Sequence, residues 1–155
     1  MSWAALLALA VCGILLSVSL IDAETQTIPD RLNLALAVCG AVSVLLSPAD
    51  WLPHVIGALC VSVPMFLLCL VIDGAFGGGD IKLLCLTGLY LGWMKNLLCL
   101  LLACALGIVF ALVTLKRRGT EGDARLIPWG PSISAAAILT LLWGDAITAA
   151  YLSLF

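Results

Sequence analysis

The chain is poor in charge. Its 155 residues include seven Lys or Arg and nine Asp or Glu, 10% of the whole, whereas a soluble domain carries about 25%. The formal net charge is −2, so no basic field exists to gather nucleic acid. His54 is the only histidine. A multi-histidine metal centre is therefore excluded, and a Ser-His-Asp triad is formally possible only through that residue. It follows Trp51, Leu52 and Pro53 at the start of an apolar run, where an interfacial residue is expected. CxxC pairs are absent. The seven cysteines (Cys12, Cys39, Cys60, Cys69, Cys85, Cys99 and Cys104) all lie in apolar runs. That pattern argues against a zinc ribbon or a thioredoxin-like site and makes them small hydrophobes. No metal and no cofactor are expected.

What the chain has in abundance is apolar surface. Hydrophobic residues make up 64% of it, and the mean hydropathy is +1.24. A small soluble fold leaves roughly a third of its chain area in water and could not hide so much. Intrinsic disorder, a collagen-like repeat and a secreted disulfide scaffold are excluded too. The composition points to a lipid bilayer, and the length to a single transmembrane domain over residues 1–155.

A spanning helix needs about 20 apolar residues, with a range of roughly 17 to 25. Charge-free stretches run from Met1 to Ile21, Leu32 to Ala49, Trp51 to Ile72, Leu83 to Met94, Asn96 to Leu115 and Leu126 to Gly144. They predict an all-α polytopic bundle of about six transmembrane helices. The fourth run is short and is expected to borrow residues from Gly77-Gly78-Gly79-Asp80. The turn between helices four and five is expected near Gly92 to Asn96. The tail after Asp145 is too short to span alone. Met1 to Ile21 has no basic n-region, and Asp22-Ala23-Glu24 is a poor cleavage site, so this segment is read as a retained helix rather than a signal peptide. Pro53 and Pro64 are expected to bend helix three. Gly57, Gly88 and Gly107 are expected at helix contacts.

Six crossings sort the loops onto two sides. One side holds Arg31, Lys82, Lys116, Arg117, Arg118 and Arg125; the other holds only Lys95. The positive-inside rule makes the first side cytoplasmic and leaves both termini outside. Merging helices four and five would move the Lys116 cluster outside. The same alternation puts Asp22, at the end of helix one, and Asp80, at the start of helix four, on the same face although they are 58 residues apart.

Acidic residues at membrane depth are costly and tend to serve a function. Glu24, Asp50, Glu121, Asp123 and Asp145 suit loops in water, Asp73 suits the interface, and Asp30 suits an N-cap. Asp80 stands apart because three glycines precede it. They form no Walker A motif, since no Gly-Lys-Ser/Thr ending follows, and the Asp80 carboxylate would spoil a phosphate cradle. Two adjacent carboxylates cannot easily both ionise. One keeps a proton while the other acts as base, and such a pair can activate water and protonate a peptide carbonyl. On this chemistry alone, an aspartic protease and an ion-coupled small membrane transporter both remain open.

Three segments resemble a known family, the type IV prepilin peptidases. Asp22-Ala23-Glu24-Thr25-Gln26-Thr27-Ile28-Pro29-Asp30-Arg31-Leu32 is similar to their first-aspartate region. Gly77-Gly78-Gly79-Asp80-Ile81-Lys82-Leu83 resembles their GxGD motif, and Ile127-Pro128-Trp129-Gly130-Pro131 resembles the Pro-aromatic-Gly-Pro segment that opens their last helices. The GxGD tetrad alone is unspecific, but the three in family order are not. The resemblance implies a GxGD-type aspartic endopeptidase of the cytoplasmic (inner) membrane. Its site would face the cytoplasm and cut leaders from prepilin, pseudopilin or archaellin-like precursors. By motif position the catalytic pair is Asp22 and Asp80, while Asp30 matches a non-catalytic Pro-Asp. Gly77, Gly78 and Gly79 would let the loop or the substrate adjust. Lys82 would either bias Asp80 toward its charged form or anchor helix four. Family members with an N-terminal portion carrying two CxxC pairs also methylate the mature pilin. No CxxC occurs here, so N-methyltransferase activity is expected to be absent. The remaining rivals are an intramembrane protease like the signal peptide peptidases and a noncatalytic assembly subunit. Asp22 lies in a polar stretch at a helix end, which argues against the first of these.

Overall fold

The computed structural model describes residues 3–46, 51–72, 76–118 and 129–153. Asp50, Asp73, Glu121, Asp123, Arg125, Ile127 and Pro128, and the side chains of Arg117 and Arg118, lie outside the described residues. Six α-helices follow in order: α1 (Trp3–Thr25), α2 (Asp30–Leu46), α3 (Trp51–Val71), α4 (Gly78–Leu91), α5 (Trp93–Arg118) and α6 (Gly130–Leu152). Helices α1, α3, α5 and α6 are long and apolar enough to cross a membrane. Helix α2 has 17 residues and α4 only 14. At 1.5 Å per residue α4 is about 21 Å long, against a hydrocarbon core of about 30 Å.

The bundle is apolar outside as well as inside. Leu9, Leu16, Leu101, Leu112 and Leu142 are all exposed. A monomer in water rarely shows so much apolar surface, but in lipid it is the expected exterior. The chain is thus a multi-pass membrane protein. Its core is built from Val11, Leu15 and Val18 of α1, Leu36 of α2, Val61 of α3, Leu83 and Leu84 of α4, Cys99 of α5 and Ile133 of α6. Helix α4 packs on α2, α3, α5 and α6, so this shortest helix is the central one.

Local chemistry sets the turns. Gln26 adopts a left-handed φ of 53° and closes α1, its N–H still donating to the Asp22 carbonyl at 2.9 Å. Gly92, at φ 82°, is the single residue between α4 and α5. Only a residue without Cβ takes that conformation freely. The turn expected near Gly92 to Asn96 is therefore shorter, and Asn96 lies inside α5. Lipid offers it no hydrogen bonds, so its amide is used within the bundle. Nδ2 donates to the Gly57 carbonyl at 2.8 Å and the Leu84 carbonyl at 3.2 Å, while Oδ1 faces the Thr87 hydroxyl at 3.5 Å. This clasp needs α3 and α4 almost in backbone contact. A Cβ on Gly57 would meet the Gly88 carbonyl oxygen at 2.5 Å, and one on Gly88 would meet the Gly57 carbonyl and the Asn96 amide. Gly107 has only ordinary contact with Ser132, at 3.9 Å. Gly88→Ala should push α3 from α4 and cost about 2 kcal/mol by overpacking, read as a lowered thermal midpoint in detergent.

Candidate active site

One end of the bundle gathers the end of α1, the start of α2, the start of α4 and the start of α6. His54 and Lys95 mark the opposite end. The His54 Nδ1–H donates to the Leu89 carbonyl at 2.9 Å, and Lys95 pairs with Asp145 at 2.8 Å. His54 thus tethers α3 to the end of α4 and lies far from the acids in the fold.

Asp22 sits in the last turn of α1 and is 5% exposed. Its Oδ2 accepts the Gly130 N–H at 2.9 Å, across 108 residues of sequence. Gly130 opens α6, where the first four N–H groups have no partner inside the helix. Asp22 therefore caps α6 from another helix, and the dipole of α6 favours a carboxylate there. A Cβ on Gly130 would lie 2.5 Å from Asp22 Oδ2 and 2.7 Å from Cγ. The glycine of the Trp-Gly-Pro segment is what lets the carboxylate reach the helix end.

Asp80 is half-buried in the first turn of α4. Gly77 is the N-cap residue, and its carbonyl accepts Asp80 N–H at 3.1 Å and Ile81 N–H at 3.3 Å. The Asp80 carboxylate turns back over Gly77, where the third residue of a capped helix reaches in a capping box. A Cβ on Gly77 would meet Asp80 Oδ2 at 2.9 Å, and one on Gly79 would meet Ile28 at 3.3 Å; Gly78 has open space. Two of the three glycines thus have distinct steric reasons, one the acid itself and one the loop after α1. The Asp22 carboxylate is near enough for its charge to act on Asp80. Both expected acids thus lie at this end of the bundle, on helices that do not pack directly on each other.

Lys82 does not turn to Asp80. Its Nζ pairs with Asp30 Oδ1 at 2.9 Å, linking α4 to the start of α2. Asp30 is the first residue of α2 rather than its N-cap; the Pro29 carbonyl accepts Leu32 N–H at 3.0 Å and Asn33 N–H at 3.3 Å. Phe76, just before the glycines, meets the Trp129 ring edge-on with centroids 5.9 Å apart, tying the α4 loop to the α6 start that Asp22 caps. Sequence reading missed Phe76, although its place beside one motif and opposite another was the available signal. No group of three or more His, Cys, Asp or Glu suited to a metal occurs among the described residues.

Residues 9–112 match the model of the type IV leader peptidase family. The chain belongs to that family. It is 33% identical over 159 residues to the prepilin leader peptidase/N-methyltransferase of Aeromonas salmonicida, covering 97% of this chain and 54% of that protein. It is 36% identical over 158 residues to the protein of that name from Stutzerimonas stutzeri, with the same coverage. The corresponding protein of Pseudomonas aeruginosa is 35% identical over 144 residues, 89% of this chain and 49% of that one. The chain thus spans about half the length of the curated relatives it matches. No solved structure matches.

Proposed function

We propose that this chain is a membrane aspartic endopeptidase that removes the leader from type IV prepilin-like precursors, with Asp22 and Asp80 as its catalytic pair. The single observation that carries the reading is the placement of these two carboxylates within electrostatic reach of each other. They come from separate motifs and different helices, and both lie at one end of a family member's bundle. The six helices would cross the inner membrane with both termini outside, placing that end at the cytoplasmic face.

In the mechanism, one aspartate is ionised and draws a proton from water. The other is protonated and polarises the scissile carbonyl as the hydroxide adds. The proton then passes to the leaving amine, and the pair returns to a single shared proton. The two carboxyls titrate jointly rather than as separate sites. The Gly130 N–H orients Asp22, and the Asp80 carboxylate folds back over Gly77. Gly77 and Gly79 keep both approaches clear. The relatives' N-methyltransferase activity is not carried over, and the proposal is confined to the peptidase step.

Co-expression with a candidate prepilin tests this directly. A faster-migrating mature form should appear on a gel, and it should persist in the presence of a chelator because two carboxylates suffice for the chemistry. Ion flux without cleavage would replace the reading with a transporter.

A further inference from the structure

A groove of about 490 Å³ lies between α2, α3 and α4. Leu34, Ala37, Val63 and Phe66 form its apolar wall, and Leu34, Val63 and Phe66 are themselves exposed, so it opens sideways toward lipid. Ile81 and Lys82, the two residues after Asp80, also line it. The Asp30–Lys82 pair lies across its mouth. Neither Asp22 nor Asp80 lines the groove, but along α4 it begins at the residue that follows Asp80.

It also contains an unused polar group. Asn33 lines the groove and is 5% exposed, yet neither Oδ1 nor Nδ2 has a hydrogen-bond partner. Asn96, the other buried amide among the described residues, is fully engaged. A buried amide with no partner is expensive, and acyl chains cannot supply one. Asn33 follows Asp30 by three residues, which puts it about 4.5 Å further along α2 than the mouth.

We propose that this groove seats the start of the precursor's apolar helix and that Asn33 binds the main-chain N–H and C=O groups freed where that helix unwinds beside Asp80. The proposal rests on the peptidase reading above. A peptide bond within a helix has its carbonyl hydrogen-bonded and shielded, so hydrolysis requires local unwinding. Unwinding at membrane depth leaves an orphan donor and an orphan acceptor. A carboxamide offers one of each, and a turn of the Asn33 side chain toward the groove it already lines brings them to the substrate. Asn33 is a positioning residue that reads backbone, which suits precursors of differing sequence.

Cleavage of a membrane-embedded precursor by Asn33→Leu should slow about tenfold, the worth of about one good hydrogen bond, and Asn33→Gln should restore part of it. A precursor loosened by a glycine just beyond the scissile bond should depend less on Asn33, losing about threefold or less in the same variant. Equal slowing of both precursors would make Asn33 merely structural and overturn its role, as would no slowing. Seating is tested separately with a photo-crosslinking residue at Phe66 in the Asp80→Asn chain. An adduct with the precursor is expected there and not at Leu101 on α5. Adducts only with lipid, with a second copy of the chain or at Leu101 would overturn the groove. Cleavage by the unsubstituted chain in the same cells reports on the peptidase reading by itself, so its failure is distinguishable from that of the groove.

Discussion

Asp22→Asn and Asp80→Asn should each abolish precursor cleavage, by at least about 10³-fold, while the protein still inserts. Each amide keeps the shape of the side chain and loses the shared proton. The losses should not add in the double variant, because the pair acts as one unit. Asp30→Asn, which removes only the partner of Lys82, should retain measurable cutting. That pair is exposed, and exposed ion pairs contribute about 1 kcal/mol or less. The measurement is the ratio of precursor to mature form over time at matched protein levels. Full processing by either of the first two variants would end the aspartic peptidase reading.

Gly130→Ala should have the next largest effect. Its methyl group would sit within 3 Å of Asp22 Oδ2, Cγ and Cβ, so the carboxylate or the start of α6 must move. A displacement of about 1 Å in a catalytic group can cost about 10²-fold, and a loss of that size is expected in initial cleavage rate. Asp22 stays present and ionisable in this variant. Retained activity would mean that the cap on α6 is irrelevant to the chemistry.

Much of this was legible in the sequence because charge is so rare in it. Each charged residue in an apolar chain is a boundary or a purpose, and six helices fell out of reading the runs between them. The runs mark where charge begins rather than where a helix ends, because a charged or polar residue can find a partner on another helix. Asp22 does not stop α1, because Gly130 receives it and the helix continues to Thr25. Asp145 does not stop α6, because Lys95 pairs with it at 2.8 Å and the helix runs to Leu152. Asn96 left the expected turn for the same reason. Lys82 could not be assigned, since its partner Asp30 lies 52 residues away on a helix whose register only packing determines. Asn33 drew no notice in an apolar stretch, although a lone amide there was the signal to ask what it binds.

The tether between Asp22 and Gly130 joins the first helix to the last. A ribosome releases α1 well before α6. Until α6 has inserted, Asp22 lacks the donor that fixes its direction. In the peptidase proposed above, the acid of α1 would therefore gain its working orientation only after α6 has joined the bundle.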